Sequence, residues 1–319
     1  MSELHKFLFE GLPVRGMLVR LTDSWQEVLR RREAAGAYPQ EVSALLGQMS
    51  AAAVLMQANL KFNGALILQI HGDGPLKLAV AEARSDLDFR ATAKVMGEVP
   101  AQAGLGDMLN VSGQGRCAIT LDPQDRLPGQ QPYQGVVPLN GGDGQSLSQL
   151  SEVLEQYMRQ SEQLETRLVL AADGQLAAGL LIQRLPLEGQ GNLEGTGAVS
   201  SPEDAAESFN RIAHLAATLS QEELLTLDAD TVMRRLFWEE DVRRFEPLKP
   251  RFACTCSLER VQHMLQGLGQ EEAVGVVQER GEIEVGCDFC GQHYHFDAVD
   301  VAALFTPEGE TLAPTRTLH

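Results

Sequence analysis

The chain has 319 residues, 44% hydrophobic and 22% charged, with a formal net charge of −18. That length suits two domains and the composition is that of an ordinary globular protein, while the acidic balance argues against a general nucleic-acid binder, since phosphate contacts need Lys and Arg. No run approaches the roughly 18 apolar residues of a membrane span. MSELHKFLFE at the N-terminus lacks an apolar h-region and a small-residue cleavage site, so a cytoplasmic location is expected. Five cysteines without a secretion signal are expected as thiols or metal ligands, not as a disulfide framework.

Residues 7–21 are β-rich and predict an opening strand. A helix follows from about Asp23 to Ala35, its Arg30-Arg31-Arg32 run reading as a solvated face. Pro39 starts a buried helix to about Leu60 through Val42, Leu45, Leu46, Met49, Ala53 and Met56. Ala65–His71 and Leu76–Ala83 read as strands joined by a Gly72-Asp73-Gly74-Pro75 turn. Further strands are expected over 86–96, 116–122 and 133–139, with Cys117 as a small buried residue. Ser146 is read as the cap of an amphipathic helix to about Gln160, and Arg167–Leu170 with Ala177–Leu185 as a closing strand pair. Unequal blocks of strand and helix favour an α+β class over a doubly wound sheet.

The expected organisation is a mixed sheet-and-helix core over 1–186, a metastable helical linker over 187–250, and a small four-cysteine zinc domain over 251–319. The linker opens on Gly-rich LEGQGNLEGTGAVS. Ser201-Pro202-Glu203 starts a helix with Phe209, Ile212, Leu215 and Leu219 on one stripe. Ser220-x-x-Glu223 is a capping-box pattern, and a third helix is expected over 230–241. These stripes are thin and fold only by lying on another surface.

Cys254-Thr255-Cys256 and Cys287-Asp288-Phe289-Cys290 form a C-x-C and a C-x-x-C separated by 30 residues. Two close thiol pairs across a loop suit one tetrahedral zinc ion, with sulfurs about 2.3 Å from the metal. Four cysteine ligands leave no open position, so the metal is structural or regulatory. His263, His293 and His295 read as surface or packing residues, not ligands. Residues 251–300 hold three Arg, no Lys and nine acidic residues, unlike a nucleic-acid zinc ribbon. A segment of roughly 50 residues buries little core, and its fold is expected to depend on metal. Oxidation within each pair closes only tiny rings and leaves the halves untethered; a disulfide between the pairs would do the opposite.

Cys290-Gly291-x-His293-Tyr294, Val14-Arg15-Gly16, Gly72-Asp73-Gly74-Pro75, Tyr133-Gln134-Gly135-Val136-Val137, Ser161-Glu162-Gln163-Leu164 and Gly281-Glu282-Ile283 complete a pattern over nearly the whole chain. With the four cysteines, it resembles the 33-kDa heat-shock-protein family of redox-regulated chaperones. The resemblance implies an ATP-independent holdase of the stress response, not an enzyme, with no catalytic residue. Its reduced form would hold one zinc ion per chain on Cys254, Cys256, Cys287 and Cys290 and be mostly inactive. Oxidation would form Cys254–Cys256 and Cys287–Cys290 disulfides, release zinc and unfold the linker. The protein would then become a homodimer that holds unfolded client proteins and later returns them to ATP-dependent chaperones for refolding. Neither nucleic acid nor membrane is expected as a partner. The competing readings are an interaction module with a purely structural zinc site, and a thiol oxidoreductase using Cys287 and Cys290. The latter lacks the thioredoxin-like βαβ context.

Overall fold

The computed structural model describes residues 1–33, 36–125, 129, 131–186 and 201–306. The chain forms two compact units, Met1–Ala253 and Cys254–His319. No described helix is long and apolar enough to cross a membrane.

The larger unit is built around one helix. It begins with β1 (Glu3–Phe9), β2 (Val14–Leu21) and α1 (Asp23–Glu33), followed by α2 (Gln40–Asn59). α2 is apolar on every side, and residues from Val42 to Gln57 are buried around its whole circumference. A helix of that kind must be enclosed, and two sheets enclose it. Its Ala51-Ala52-Ala53 run is fully buried, small side chains letting both sheets come close.

The antiparallel strands β3 (Gly64–His71), β4 (Leu76–Arg84) and β5 (Asp88–Val95) lead to the short α3 (Leu105–Leu109), then β6 (Arg116–Pro123) and β7 (Tyr133–Pro138). α4 (Leu150–Gln160), β8 (Thr166–Ala172) and β9 (Ala177–Arg184) follow. α5 (Pro202–Ala217), α6 (Gln221–Thr226), α7 (Ala229–Phe237), β10 (Val242–Arg244) and β11 (Arg251–Phe252) complete the unit. One sheet has the order β10-β1-β2-β9-β8 and the other β11-β5-β4-β3-β6-β7. The α+β class read from the sequence agrees with this arrangement.

The main core fills the space around α2. A second core lies on the other face of the five-stranded sheet, where Phe7, Phe9, Val14, Leu18, Leu180 and Ile182 meet the apolar stripes of α5, α6 and α7. Phe237 stands edge-on to Phe9, ring centroids 5.0 Å apart, with Phe7 at 6.0 Å. Ser201 caps α5 by accepting from Asp204 N–H, and Ser220 and Glu223 make both hydrogen bonds of the expected capping box. β9 is buried on both faces because helices cover both sides of its sheet. Gly-rich residues 187–200 and tail residues 307–319 lie outside the described residues.

Two expectations are corrected. The opening strand read over 7–21 is a hairpin: β1 and β2 pair antiparallel, with Phe7 opposite Gly16. Gly16 permits that pairing, since a Cβ there would come within 2.1 Å of the Phe7 ring. Ser146 does not cap α4. It bridges to Asn140, and the helix starts at Leu150, where Glu152 accepts from the backbone N–H groups of Ser148 and Gln149 at 2.9 and 3.0 Å. A carboxylate serving two open donors outcompetes a hydroxyl farther up the chain.

Candidate metal centre

The smaller unit places its cysteines at two ends of one short construction. Cys254 and Cys256 precede α8 (Leu258–Leu268), whose first turn is capped by Ser257 accepting from Arg260 N–H. α9 (Gln270–Arg280) follows, then the hairpin of β12 (Ile283–Gly286) and β13 (His293–Phe296), and α10 (Ala298–Leu304), capped by Asp297. Val261, Leu265, Ala273, Val277, Ile283, Phe296 and Val301 make up the buried core. Seven mostly medium-sized side chains are little for a folded unit of about 50 residues.

Cys287 and Cys290 lie in the loop between β12 and β13. Cys287 N–H donates to Gln292 O at 2.9 Å, and Gly291 N–H to Cys287 O at 2.8 Å. These bonds close a tight knuckle that needs Gly291 at φ +67°, a conformation that glycine adopts without strain. The knuckle turns both thiols toward the segment ahead of α8. Cys254 and Cys287 Sγ are 3.6 Å apart and Cys256 and Cys290 Sγ 3.3 Å apart. All four sulfurs lie within 4.8 Å of one another. No disulfide joins any of the five cysteines.

This group could hold a metal ion. Sulfurs about 2.3 Å from a tetrahedral ion stand about 3.8 Å from one another, and the observed separations bracket that spacing. Four sulfur donors enclosed by a hairpin loop suit a closed site rather than one open to a substrate. Cys290 is buried and the other three are half-buried.

The thiols are not equivalent. Burial pushes Cys254 up, but hydrogen bonds from the Cys256 backbone N–H and the neighbouring thiols outweigh it and bring Cys254 down to about 7. Burial raises both Cys287 and Cys290. Tyr294 is held up at about 12, first by its hydrogen bond with the Cys256 sulfur, then by burial and the charge of that sulfur. The sequence reading gave Tyr294 no role. Its place in the alternating His293-Tyr294-His295-Phe296 run was the available signal, since alternation turns it away from its exposed neighbours.

His293 and His295 sit on the solvent face, in contact with Glu284 and Glu282 rather than with the sulfurs. Cys117 belongs to the larger unit, fully buried on β6, and burial pushes its thiol up to about 12. Of the N-terminal motif residues, Val14 and Val137 are buried in the core, whereas Tyr133 and Val136 are exposed. Gly135 lies against the Tyr157 ring, where a Cβ would come within 2.6 Å, and Tyr157 OH donates to Glu162 Oε1 at 2.8 Å.

Residues 2–297 match the model of the family described as Hsp33 protein. The 33 kDa chaperonin of Methylobacillus flagellatus is 45% identical over 310 residues, covering 96% of this chain and 95% of that protein. That of Chromobacterium violaceum is 47% identical over 307 residues, covering 95% and 94%. The crystal structure of the 33 kDa chaperonin (heat shock protein 33 homolog) of Thermotoga maritima superposes with a TM-score of 0.72 at 20% identity, covering 95% of this chain and 98% of that one, and shares the fold.

Proposed function

The chain belongs to the Hsp33 family, a family of chaperones and not of enzymes, and on that premise we propose that it is a redox-regulated, ATP-independent holdase. The observation that carries this reading is the meeting of Cys254, Cys256, Cys287 and Cys290, with all sulfurs within 4.8 Å, in a unit whose apolar core is too thin to be secure without a crosslink. In the reduced protein these thiolates hold one zinc ion, which ties the segment before α8 to the β12–β13 loop. Cys254 is more readily ionised than Cys287 and Cys290, and so available to a metal or an oxidant ahead of those two.

Oxidation joins Cys254 to Cys256 and Cys287 to Cys290. Each disulfide takes two electrons from a pair of zinc-held thiolates and, with two protons from solvent, reduces one peroxide to two waters, leaving the zinc ion free to depart. Sulfurs committed to disulfides are poor donors, so the crosslink between the two ends is lost. The smaller unit then loosens, and residues 187–250, the metastable linker between a 1–186 core and a 251–319 switch domain, lose their support. The helices α5–α7 lift their apolar stripes from the five-stranded sheet, and both surfaces become available to unfolding client proteins and to a second copy of the chain. Reduction restores the zinc-bound form and releases clients to ATP-dependent chaperones. The protein works in the cytoplasm, binding neither nucleic acid nor membrane.

A second reading, a purely structural metal site, draws on one observation: α5–α7 are well packed, with Phe209, Ile212, Val232 and Phe237 buried. The two separate in one experiment. A thermally unfolding client is followed by light scattering with reduced, zinc-loaded protein and with peroxide-treated protein, while a chromogenic chelator reports zinc. A holdase suppresses scattering only after oxidation, in step with zinc release and reversibly with reductant. Zinc retained under peroxide, with scattering unchanged, leaves the structural reading.

A further inference from the structure

At the C-terminal end of α2 the larger unit holds a small cavity that the cysteine chemistry does not use. Its wall is drawn from both sheets, from α2 and from α4. Met56, Leu66, Ile119, Leu121, Met158 and Leu181 make it largely apolar, and its volume is about 60 Å³. One water needs about 10–15 Å³ of such space, so the cavity takes a chain of roughly four carbon atoms. Arg15, Asn59, Tyr157 and Glu162 bring polar groups to the same wall.

Arg15 is a cation held there without an anion. The β1–β2 register sets Lys6 opposite Met17 and Leu8 opposite Arg15, so Lys6 and Arg15 share the sheet face turned to α2, where Lys6 Nζ donates to Ala58 O at 2.6 Å. Arg15 donates from Nε, at 3.1 Å, and from Nη2 to Gln183 Oε1, a neutral oxygen that also accepts from Asn59 Nδ2 at 2.7 Å. Arg15 Nη1 makes no hydrogen bond among the described residues, and neither cation forms an ion pair among them. Burial holds the Arg15 guanidinium below its ordinary value, and burial followed by the charge of Arg15 holds Lys6 down. Glu162, the single carboxylate on the wall, is engaged in accepting from Tyr157 O–H at 2.8 Å. A half-buried guanidinium bonded only to a neutral oxygen lacks the compensation that an anion supplies.

We propose that this pocket is a binding site for a short-chain alkanoate of about four to six carbons, its carboxylate on the open donors of Arg15 and its alkyl chain among Met56, Leu66, Ile119 and Leu121. The planar guanidinium matches a carboxylate, and the unbranched methionines adapt to a flexible chain. A longer chain outruns the cavity, and an alcohol of equal length leaves the guanidinium unanswered. The site lies wholly within Met1–Ala253, so it stands apart from the redox reading of the cysteines.

The test titrates pentanoate into reduced, zinc-loaded full-length protein while NMR follows the methyl signals of Met56, Ile119 and Met158. Saturable shifts at these three methyls are expected. Acetate, which has the head without the tail, and pentanol, which has the tail without the charge, should each bind at least roughly tenfold more weakly. Arg15→Gln should weaken pentanoate binding by a similar factor with the far-ultraviolet spectrum unchanged. Leu164→Trp, which crowds the pocket from its half-buried wall, should abolish the shifts and decides the matter if Arg15→Gln does not fold. Absence of saturable shifts would overturn the proposal. So would equal affinity for pentanol, or pentanoate binding that persists undiminished in Leu164→Trp or in folded Arg15→Gln.

Discussion

Replacing Phe237 by Ala tests whether α5–α7 are a separable cover on the five-stranded sheet. Phe237 is only 3% exposed and closes an aromatic triad with Phe9 and Phe7 at 5.0 and 6.0 Å. Buried Phe→Ala changes cost about 3–5 kcal/mol through lost burial and the cavity left behind. At the low end, about 3 kcal/mol raises the population of any state that exposes this contact by roughly 100-fold or more. If α5–α7 lift as a unit while the two-sheet core stays closed, that factor falls on their amides alone. Hydrogen exchange on the reduced, zinc-loaded variant should therefore show accelerated exchange over 205–237, with α2, β3 and β4 unchanged. In the client assay the variant should suppress scattering in part without oxidant. Equal acceleration in α2 and β4 would mean that these helices open only with the whole unit and would refute the separable cover.

Replacing Cys287 and Cys290 together by Ser should abolish tight zinc binding and speed exchange throughout 258–304; full zinc affinity by equilibrium dialysis would sink the four-cysteine site. Gly291→Ala forces a Cβ into φ +67°, which costs about 1–2 kcal/mol, so zinc affinity by chelator competition should fall roughly tenfold with the fold retained. In reduced, metal-free protein, alkylation of Cys254 should rise through pH about 7, whereas Cys287 and Cys290 stay slow; peptide mapping that finds all three alkylated together contradicts this order. The linkage follows. A folded pKa below the ordinary thiol value means that ionised Cys254 stabilises the metal-free unit fully only above that ordinary value, and the contribution disappears as pH falls through about 7. Thermal melts of the metal-free protein, with Cys254→Ser as reference, should lose this difference below pH 7.

The parts legible in the sequence were those set by local pattern. α2 was legible because a long apolar run interrupted by only one glycine, Gly47, and by no proline has few other ways to fold, and the β3–β4 hairpin because Gly72-Asp73-Gly74-Pro75 marks its turn. The cysteine cluster was legible because ligand spacing is a covalent constraint. What escaped depends on pairing at a distance. The turn inside 7–21 was hidden because Leu12 and Pro13 continue the apolar run across it. The three-residue β10 and two-residue β11 carry no periodicity and exist because β1 and β5 offer unpaired edges. Tyr294 beside Cys256 follows from the hairpin register, which a single chain reading does not fix.

The segment after α7 also guards two sheets at once. β10 lies along β1 at one edge of the first sheet, and β11 lies along β5 at one edge of the second, with Leu248 bridged to Leu4 between them. Ala253 N–H donates to Phe89 O at 3.0 Å, so the hydrogen bonding to β5 runs to the last residue before Cys254. Were this ribbon peeled away, β1 and β5 would become bare edges together, each offering a row of unpaired amides to the next extended chain that arrives. One short stretch, held by few hydrogen bonds, thus keeps two templates for strand addition out of reach, and the residue at which it ends adjoins the first of the four cysteines.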